Sequence, residues 1–280
     1  MGLTVIEAEF AGACYGVQRA LNMADETIKQ ATPITSLGPL IHNPIVVAKY
    51  EQAGISIAEA VSDIKTKSVL VRSHGITPKV REQIDDAGLS VVDATCPYVL
   101  RAQKAAQRLG TEHDMLVIVG EKGHPEVDAL EAYGMLSGTT VMVVSCADEL
   151  PNTLSEVVGV VVQTTQTFDA LEDVLEGIRE RGSEADLAHT ICRATRQRQE
   201  AASELSKRVD AMVVIGGRNS ANTTRLAEIC TSEGAKTFHI ESWEELRPEW
   251  FEGCETVGVT AGASTPQYQI DEVVDTLCGF

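Results

Sequence analysis

The chain has 280 residues, enough for one large domain or two to three small ones, and is 44% hydrophobic but only 4% aromatic, so its cores must be built mainly from Val, Ile, Leu and Ala. Its formal net charge is −18 with no cluster of Lys or Arg, which argues against nucleic acid as a partner, because binding a polyanion needs a basic patch. No apolar run approaches the roughly 20 residues of a membrane span, and MGLTVIEAEF at the N-terminus carries acids where a signal would be basic and then apolar. The expectation is a soluble, cytoplasmic protein with no membrane partner.

Short β-branched runs alternate with helical patterns along the chain. Predicted strands are Leu3–Ile6, Ser68–Arg72, Ser90–Asp93, Met115–Val119, Val141–Val144, Val157–Val162, Ala211–Ile215, Thr237–Ile240 and Thr256–Val259. Most are continuous apolar runs, which suits strands buried on both faces of a parallel sheet. Val17, Ala20, Leu21, Ala24 and Ile28 recur at helical spacing, as do Val99, Ala102, Ala105, Ala106 and Leu109. A third, more polar helix has Ala201, Leu205 and Val209 as its expected inner face.

Each of these helices follows a cysteine at the end of a strand: Cys14 in GACYGVQRA, Cys96 in VVDATCPYVLRAQ and Cys192 in HTICRATRQRQ. The recurrence divides the chain into three similar α/β lobes with mostly parallel sheets, at 14–96, 97–193 and 194–280, the last joined by residues 1–13. A helix start stabilises thiolate, the form that binds metal. The chain has seven cysteines and no CxxC pair, so dispersed thiols meeting at one metal centre are expected for these three rather than a disulfide framework. Three thiolates would leave one coordination position open, in an iron–sulfur cluster or in a zinc site. Cys146, Cys230, Cys254 and Cys278 have uninformative surroundings and are expected to act as small hydrophobes.

The remaining polar motifs also fall at strand ends, where open α/β sheets build their sites. His42 stands in GPLIHNP, His74 in RSHGI and His124 in GEKGHPEV, whereas His113, His189 and His239 have plain settings. Gly216-Gly-Arg-Asn-Ser-Ala-Asn222 leads from a strand into a helix and offers backbone N–H groups with Ser220 and Asn222; TAGAST, with Ser264, repeats the theme. GxxxxGK[ST] is absent, so the loop is not a Walker loop. These groups suit a phosphate. Glu126, two residues after His124, is a candidate proton donor if buried. Thr165, Gln166 and Thr167 in QTTQT are candidates to hold a water or hydroxyl. An iron–sulfur redox sensor and a three-cysteine zinc hydrolase of a phosphorylated substrate remain alternatives on these residues alone.

AGACYGVQRA, GPLIHNP, VRSHG, VDATCP, GHPEV, QTTQT, TICRAT, GGRNSANTTRL and VGVTAGAST run in this order from residue 11 to residue 265. As a set they are similar to the 4-hydroxy-3-methylbut-2-enyl diphosphate reductase (LytB) family. The resemblance implies three lobes around a central 4Fe–4S cluster with Cys14, Cys96 and Cys192 as ligands and one open iron. It implies diphosphate binding by His42, His74, His124, Ser220, Ala221, Asn222 and Ser264, with Glu126 as proton source and Thr167 orienting both Glu126 and the substrate hydroxyl. It further implies reductive dehydroxylation of an allylic diphosphate in the non-mevalonate route to isoprenoids, fed by an external one-electron donor such as ferredoxin or flavodoxin. Two residues depart from the pattern. Ala13 stands where many members carry Phe, and Ala221 where some carry Ser.

Overall fold

A computed structural model describes residues 2–280. In chain order the elements are β1 (Thr4–Glu7), α1 (Tyr15–Lys29), β2 (Ile34–Leu37), α2 (Pro44–Gln52), β3 (Ser56–Ala58), β4 (Ser68–Val71), α3 (Pro78–Asp86), β5 (Ser90–Asp93), α4 (Pro97–Glu112), β6 (Met115–Val119), α5 (Pro125–Gly134), β7 (Thr140–Val144), β8 (Val157–Val162), α6 (Phe168–Glu180), β9 (Glu184–Ala188), α7 (Arg193–Ser206), β10 (Ala211–Ile215), α8 (Ala221–Ser232), β11 (Lys236–Ile240), β12 (Thr256–Ala261) and α9 (Gln267–Cys278).

The strands form three four-stranded sheets ordered β3-β2-β4-β5, β7-β6-β8-β9 and β11-β10-β12-β1, and every pairing is parallel. The architecture is therefore three α/β lobes of one topology. In each sheet the chain starts at an inner strand, steps outward to one edge, and returns to the other side of the first strand. In the third sheet the N-terminal strand β1 takes the fourth place, with Val5 opposite Val257 and Glu7 opposite Val259.

All nine predicted strands occur, four with the predicted bounds and five with ends shifted by one or two residues; β2, β3 and β9 are additional. Their sequences ITSL, SIA and EADLA lack an apolar run. β2 is nonetheless wholly buried, because Thr35 bonds the hydroxyls of Ser56 and Thr66 and Ser36 donates to the Gly38 carbonyl. β3 and β9 are sheet edges, where half-exposed polar residues cost little.

The chain separates into two compact units. One comprises the N-terminal residues through Gln18, Ile41–Lys49 and Arg193–Phe280; the other comprises Arg19–Leu40 and Tyr50–Cys192. In the second, the sheet around β6 is apolar on both faces. Val117, Val119, Val158, Val160 and Val162 pack on Leu171, Val174 and Ile178 of α6, while Leu116, Ile118 and Val161 pack on Ala102, Ala106 and Leu109 of α4 and on Val127 and Leu130 of α5. In the first, Val213, Ile215, Val257 and Val259 face Ile270, Val273 and Leu277 of α9, and Met212 and Val214 face α7 and α8. Ala202 and Leu205 are the wholly buried apolar residues of α7, with Ala201 and Val209 packed beside them. Cys230 lies in this core, as expected of a small hydrophobe. Among the described residues no helix is long and apolar enough to cross a membrane.

Candidate active site

In each sheet the first and third strands of the lobe are neighbours, and the chain leaves them in opposite directions. That is the switch point where a crevice opens beyond the carboxyl ends of parallel strands. The polar motifs sit on these six strand ends. GPLIH follows β2 and RSHG follows β4; GEKGHPE follows β6 and QTTQT follows β8; GGRNSAN follows β10 and GAST follows β12. The fourth strand of each lobe carries the cysteine: Cys96 after β5, Cys192 after β9, Cys14 after β1. One topology, used three times, thus separates the thiols from the loops that carry the histidines and amides.

In the unit that holds Cys96 and Cys192, Glu126 is the central group. It lies in the first turn of α5 and is 1% exposed. Thr164 grips both carboxylate oxygens, its backbone N–H donating to Oε1 at 2.7 Å and its hydroxyl to Oε2 at 2.8 Å. Burial pushes the carboxyl from its ordinary 4.5 up to about 7, against the opposing pull of the two Thr164 bonds. The Thr164 carbonyl in turn accepts the Cys192 N–H at 3.1 Å. Acid and thiol segment are thus joined through one residue.

His124 is the N-cap of α5, its Nδ1 accepting the Glu126 N–H at 3.1 Å. With Nδ1 an acceptor, the neutral ring carries its proton on Nε2 and offers a donor there. The His74 ring meets it edge-on, with centroids 5.7 Å apart. The Cys96 N–H donates to the Ser73 carbonyl at 2.9 Å, which ties that thiol to the histidine loop, and Cys96 heads α4 with no side-chain capping bond. Thr167 differs from expectation. Its hydroxyl accepts from the Ala170 N–H and caps α6, and its own N–H donates to the Gln166 side chain. The orienting bonds to Glu126 come from Thr164 instead, because the strand end presents the second residue of QTTQT toward α5 and uses the fifth to start α6.

In the other unit, Cys14 precedes α1, and its sulfur accepts the Val17 N–H at 3.5 Å. Asn43 is a site residue that sequence reasoning does not single out. It is buried, accepts the Val46 N–H at the start of α2, and donates to the Ser264 carbonyl at 3.0 Å and to Gln269 at 2.8 Å. It therefore locks the His42 loop to the Ser264 loop. Its position, between His42 and a proline-started helix, is the signal a cap would give. Gly217 approaches so closely that a Cβ there would sit 2.8 Å from the His42 carbonyl oxygen. Ser220 caps α8, accepting from the Thr223 N–H at 3.4 Å. Asn222 is buried in the first turn of α8, and neither Nδ2 nor Oδ1 has a protein partner.

A buried amide left unsatisfied costs about 1–3 kcal/mol, so Asn222 at a helix N-terminus fits a bound anion. The thiols suit a metal cluster by their chemistry: among the described residues no cysteine is in a disulfide, and each of the three stands immediately before a helix.

Three parallel α/β sheets that carry cysteines after their fourth strands, and histidines, amides and a buried acid at their switch points, define a three-lobed α/β protein with its reactive side chains gathered at strand ends. The chain belongs to the LytB protein family, whose profile matches residues 5–278. Relatives named 4-hydroxy-3-methylbut-2-enyl diphosphate reductase include those of Syntrophotalea carbinolica, 45% identical over 98% of this chain and 98% of the relative, and Geotalea uraniireducens, 45% identical over 98% and 97%. Among solved structures, one of (E)-4-hydroxy-3-methyl-but-2-enyl diphosphate reductase, the terminal enzyme of the non-mevalonate pathway, is 40% identical with a TM-score of 0.72, covering 99% of this chain and all of that one. The Plasmodium falciparum reductase is 25% identical with a TM-score of 0.89, covering 98% of this chain and 88% of that one.

Proposed function

We propose that this chain reductively dehydroxylates 4-hydroxy-3-methylbut-2-enyl diphosphate to isopentenyl and dimethylallyl diphosphate, in the cytoplasm. Two electrons and two protons enter and water leaves, the electrons coming from an external one-electron donor such as ferredoxin or flavodoxin. Cys14, Cys96 and Cys192 would hold a 4Fe–4S cluster, which supplies electrons and a Lewis-acidic iron when bound. The lobes run 14–96, 97–193 and 194–280 with 1–13, each closed by its strand–cysteine joint. The observation that carries the reading is Glu126: a buried carboxyl at about 7, bonded to the residue that also fixes the Cys192 segment.

The chain's own residues divide the work. His42, His74, His124, Ser220, Asn222, Ser264 and the Ala221 N–H at the start of α8 bind the diphosphate, using neutral donors and a helix end despite the overall negative charge. Glu126, titrating at about 7, keeps its proton well above the usual carboxyl range and gives it to the departing hydroxyl, since water is a far better leaving species than hydroxide. Thr164 fixes the carboxyl plane. Thr167, whose hydroxyl oxygen accepts the Ala170 N–H, turns its O–H to the substrate's hydroxyl end and orients it.

The anion site has a direct test. His42→Ala, His74→Ala and Asn222→Ala each remove a hydrogen bond to a charged group, a loss of about 1.5–3 kcal/mol, or roughly 10- to 150-fold in affinity. Competition by pyrophosphate measures it, and equal competition against wild type and variants would place the anion elsewhere.

The pH dependence follows from Glu126. Turnover is expected to fall as pH rises through about 7. Thr164→Val deletes a bond that favours the ionised form, so the fall should move to higher pH, whereas Thr164→Ser should keep the wild-type profile. The stability effect has the same sign. The folded carboxyl titrates above the unfolded one, so its contribution is complete below pH 4.5 and is lost as pH rises through about 7. That loss is about 3 kcal/mol. A pH–rate profile unchanged in Thr164→Val would detach Thr164 from proton delivery.

A further inference from the structure

We propose that Arg198 is a positioning residue for Cys14: its buried guanidinium grips the Gly12 carbonyl and fixes the turn that presents the thiol. The inference rests on the reading of Cys14 as a cluster ligand.

Arg198 lies on α7 and is 6% exposed. Its Nε–H and Nη2–H donate to the Gly12 carbonyl oxygen at 3.0 and 2.5 Å, and its Nη1–H donates to the Ala194 carbonyl at 2.9 Å. Two prongs of one planar fork therefore close on a single oxygen. A lysine ammonium cannot reproduce that geometry.

The oxygen they hold belongs to an unusual peptide. Gly12 has φ +86°, and a Cβ there would meet Ile270 Cδ1 at 2.8 Å and the Thr265 carbonyl at 3.2 Å. Only glycine fits, and glycine is also the residue least able to hold its own conformation. Between β1 and α1 the chain makes no regular ladder. The Gly12 N–H donates to the Ala261 carbonyl and the Cys14 N–H to the Ala263 carbonyl, both at 3.2 Å. These bonds hold one side of the turn beside the end of β12. Arg198 holds the other. Without it the Gly12–Ala13 peptide can rotate, and the sulfur two residues on loses its fixed direction. Burying a guanidinium is costly; here two of its donors go to the Gly12 carbonyl of the turn and a third to the Ala194 carbonyl of its own helix, which is the use expected of a group selected for geometry.

The test combines hydrogen exchange with iron retention in Arg198→Met and Arg198→Lys. In the reduced apoprotein, amides of the segment from Gly12 to Cys14 should exchange about tenfold faster or more in both variants. The segment around Asn222, in the same compact unit, should keep its rate. After anaerobic reconstitution, both variants should form the cluster but release iron to a chelator faster than wild type. Unchanged exchange at Gly12–Cys14 overturns the proposal. So does equal acceleration around Asn222, which would mark a general loosening, and so does full rescue by Arg198→Lys, which would mean that charge and not the forked grip is what counts. A wild-type protein that assembles no iron–sulfur cluster would defeat the ligand reading itself, and the exchange data would still tell whether Arg198 holds the turn.

Discussion

Replacing Glu126 by Gln is expected to lower turnover by about 10²- to 10⁴-fold, the usual consequence of losing a general acid. The substitution preserves shape. The amide oxygen it introduces can still accept from Thr164, whose N–H and hydroxyl hold the native carboxylate at 2.7 and 2.8 Å. The proton alone is lost. Diphosphate binding should survive, because a carboxyl offers an anion no attraction, and the His124 cap uses the Glu126 backbone N–H rather than its side chain. A variant with wild-type binding and collapsed rate therefore isolates proton delivery. Glu126→Asp would shorten the side chain and pull it from Thr164, and should also be slow. Steady-state reduction with dithionite and a mediator dye measures the rate. Turnover of Glu126→Gln within a few-fold of wild type would make Glu126 an ordinary buried acid at a helix start.

The second large effect is expected at the thiols. Cys14→Ser, Cys96→Ser and Cys192→Ser should each leave the anaerobically reconstituted protein with little iron and sulfide, because a serine hydroxyl does not ionise near neutral pH and is a poor ligand for iron that prefers soft thiolate. The same change at Cys146, Cys254 and Cys278 should leave iron content unaltered. Cys230→Ser should keep its iron but lose stability, since Cys230 is fully buried in the core of α7, α8 and the sheet they cover. Iron and sulfide quantification with the visible absorption band decides it. Normal iron in Cys192→Ser would remove the third ligand, and a zinc content matching the protein would revive the hydrolase alternative.

The sequence determined the architecture because its information there is local. Runs such as VVGVVV and AMVVI are best satisfied as buried parallel strands, and Gly, Pro and Cys mark the strand ends whatever surrounds them. The three thiols, the histidine loops and Glu126 stand out as candidates for the same reason: each stands in a short motif whose chemistry can be read in place. What the sequence could not decide depends on residues far apart in the chain. ITSL is polar by composition and becomes a wholly buried strand only because hydroxyls from Ser56 and Thr66 satisfy it. QTTQT offers three threonines in five residues, and only the packing of the β8 end against α5 assigns Thr164 to the acid and Thr167 to a helix cap. Asn43 carries only the signal of a helix cap, and Arg198 none, until tertiary folding places carbonyls from Ser264 and Gly12 within their reach. The pKa of Glu126 was likewise beyond the sequence, which supplies a carboxyl but not the desolvation that makes it an acid near neutral pH. Local chemistry is written residue by residue. Burial, and the long-range hydrogen bonds that burial makes strong, exist only once the chain has folded.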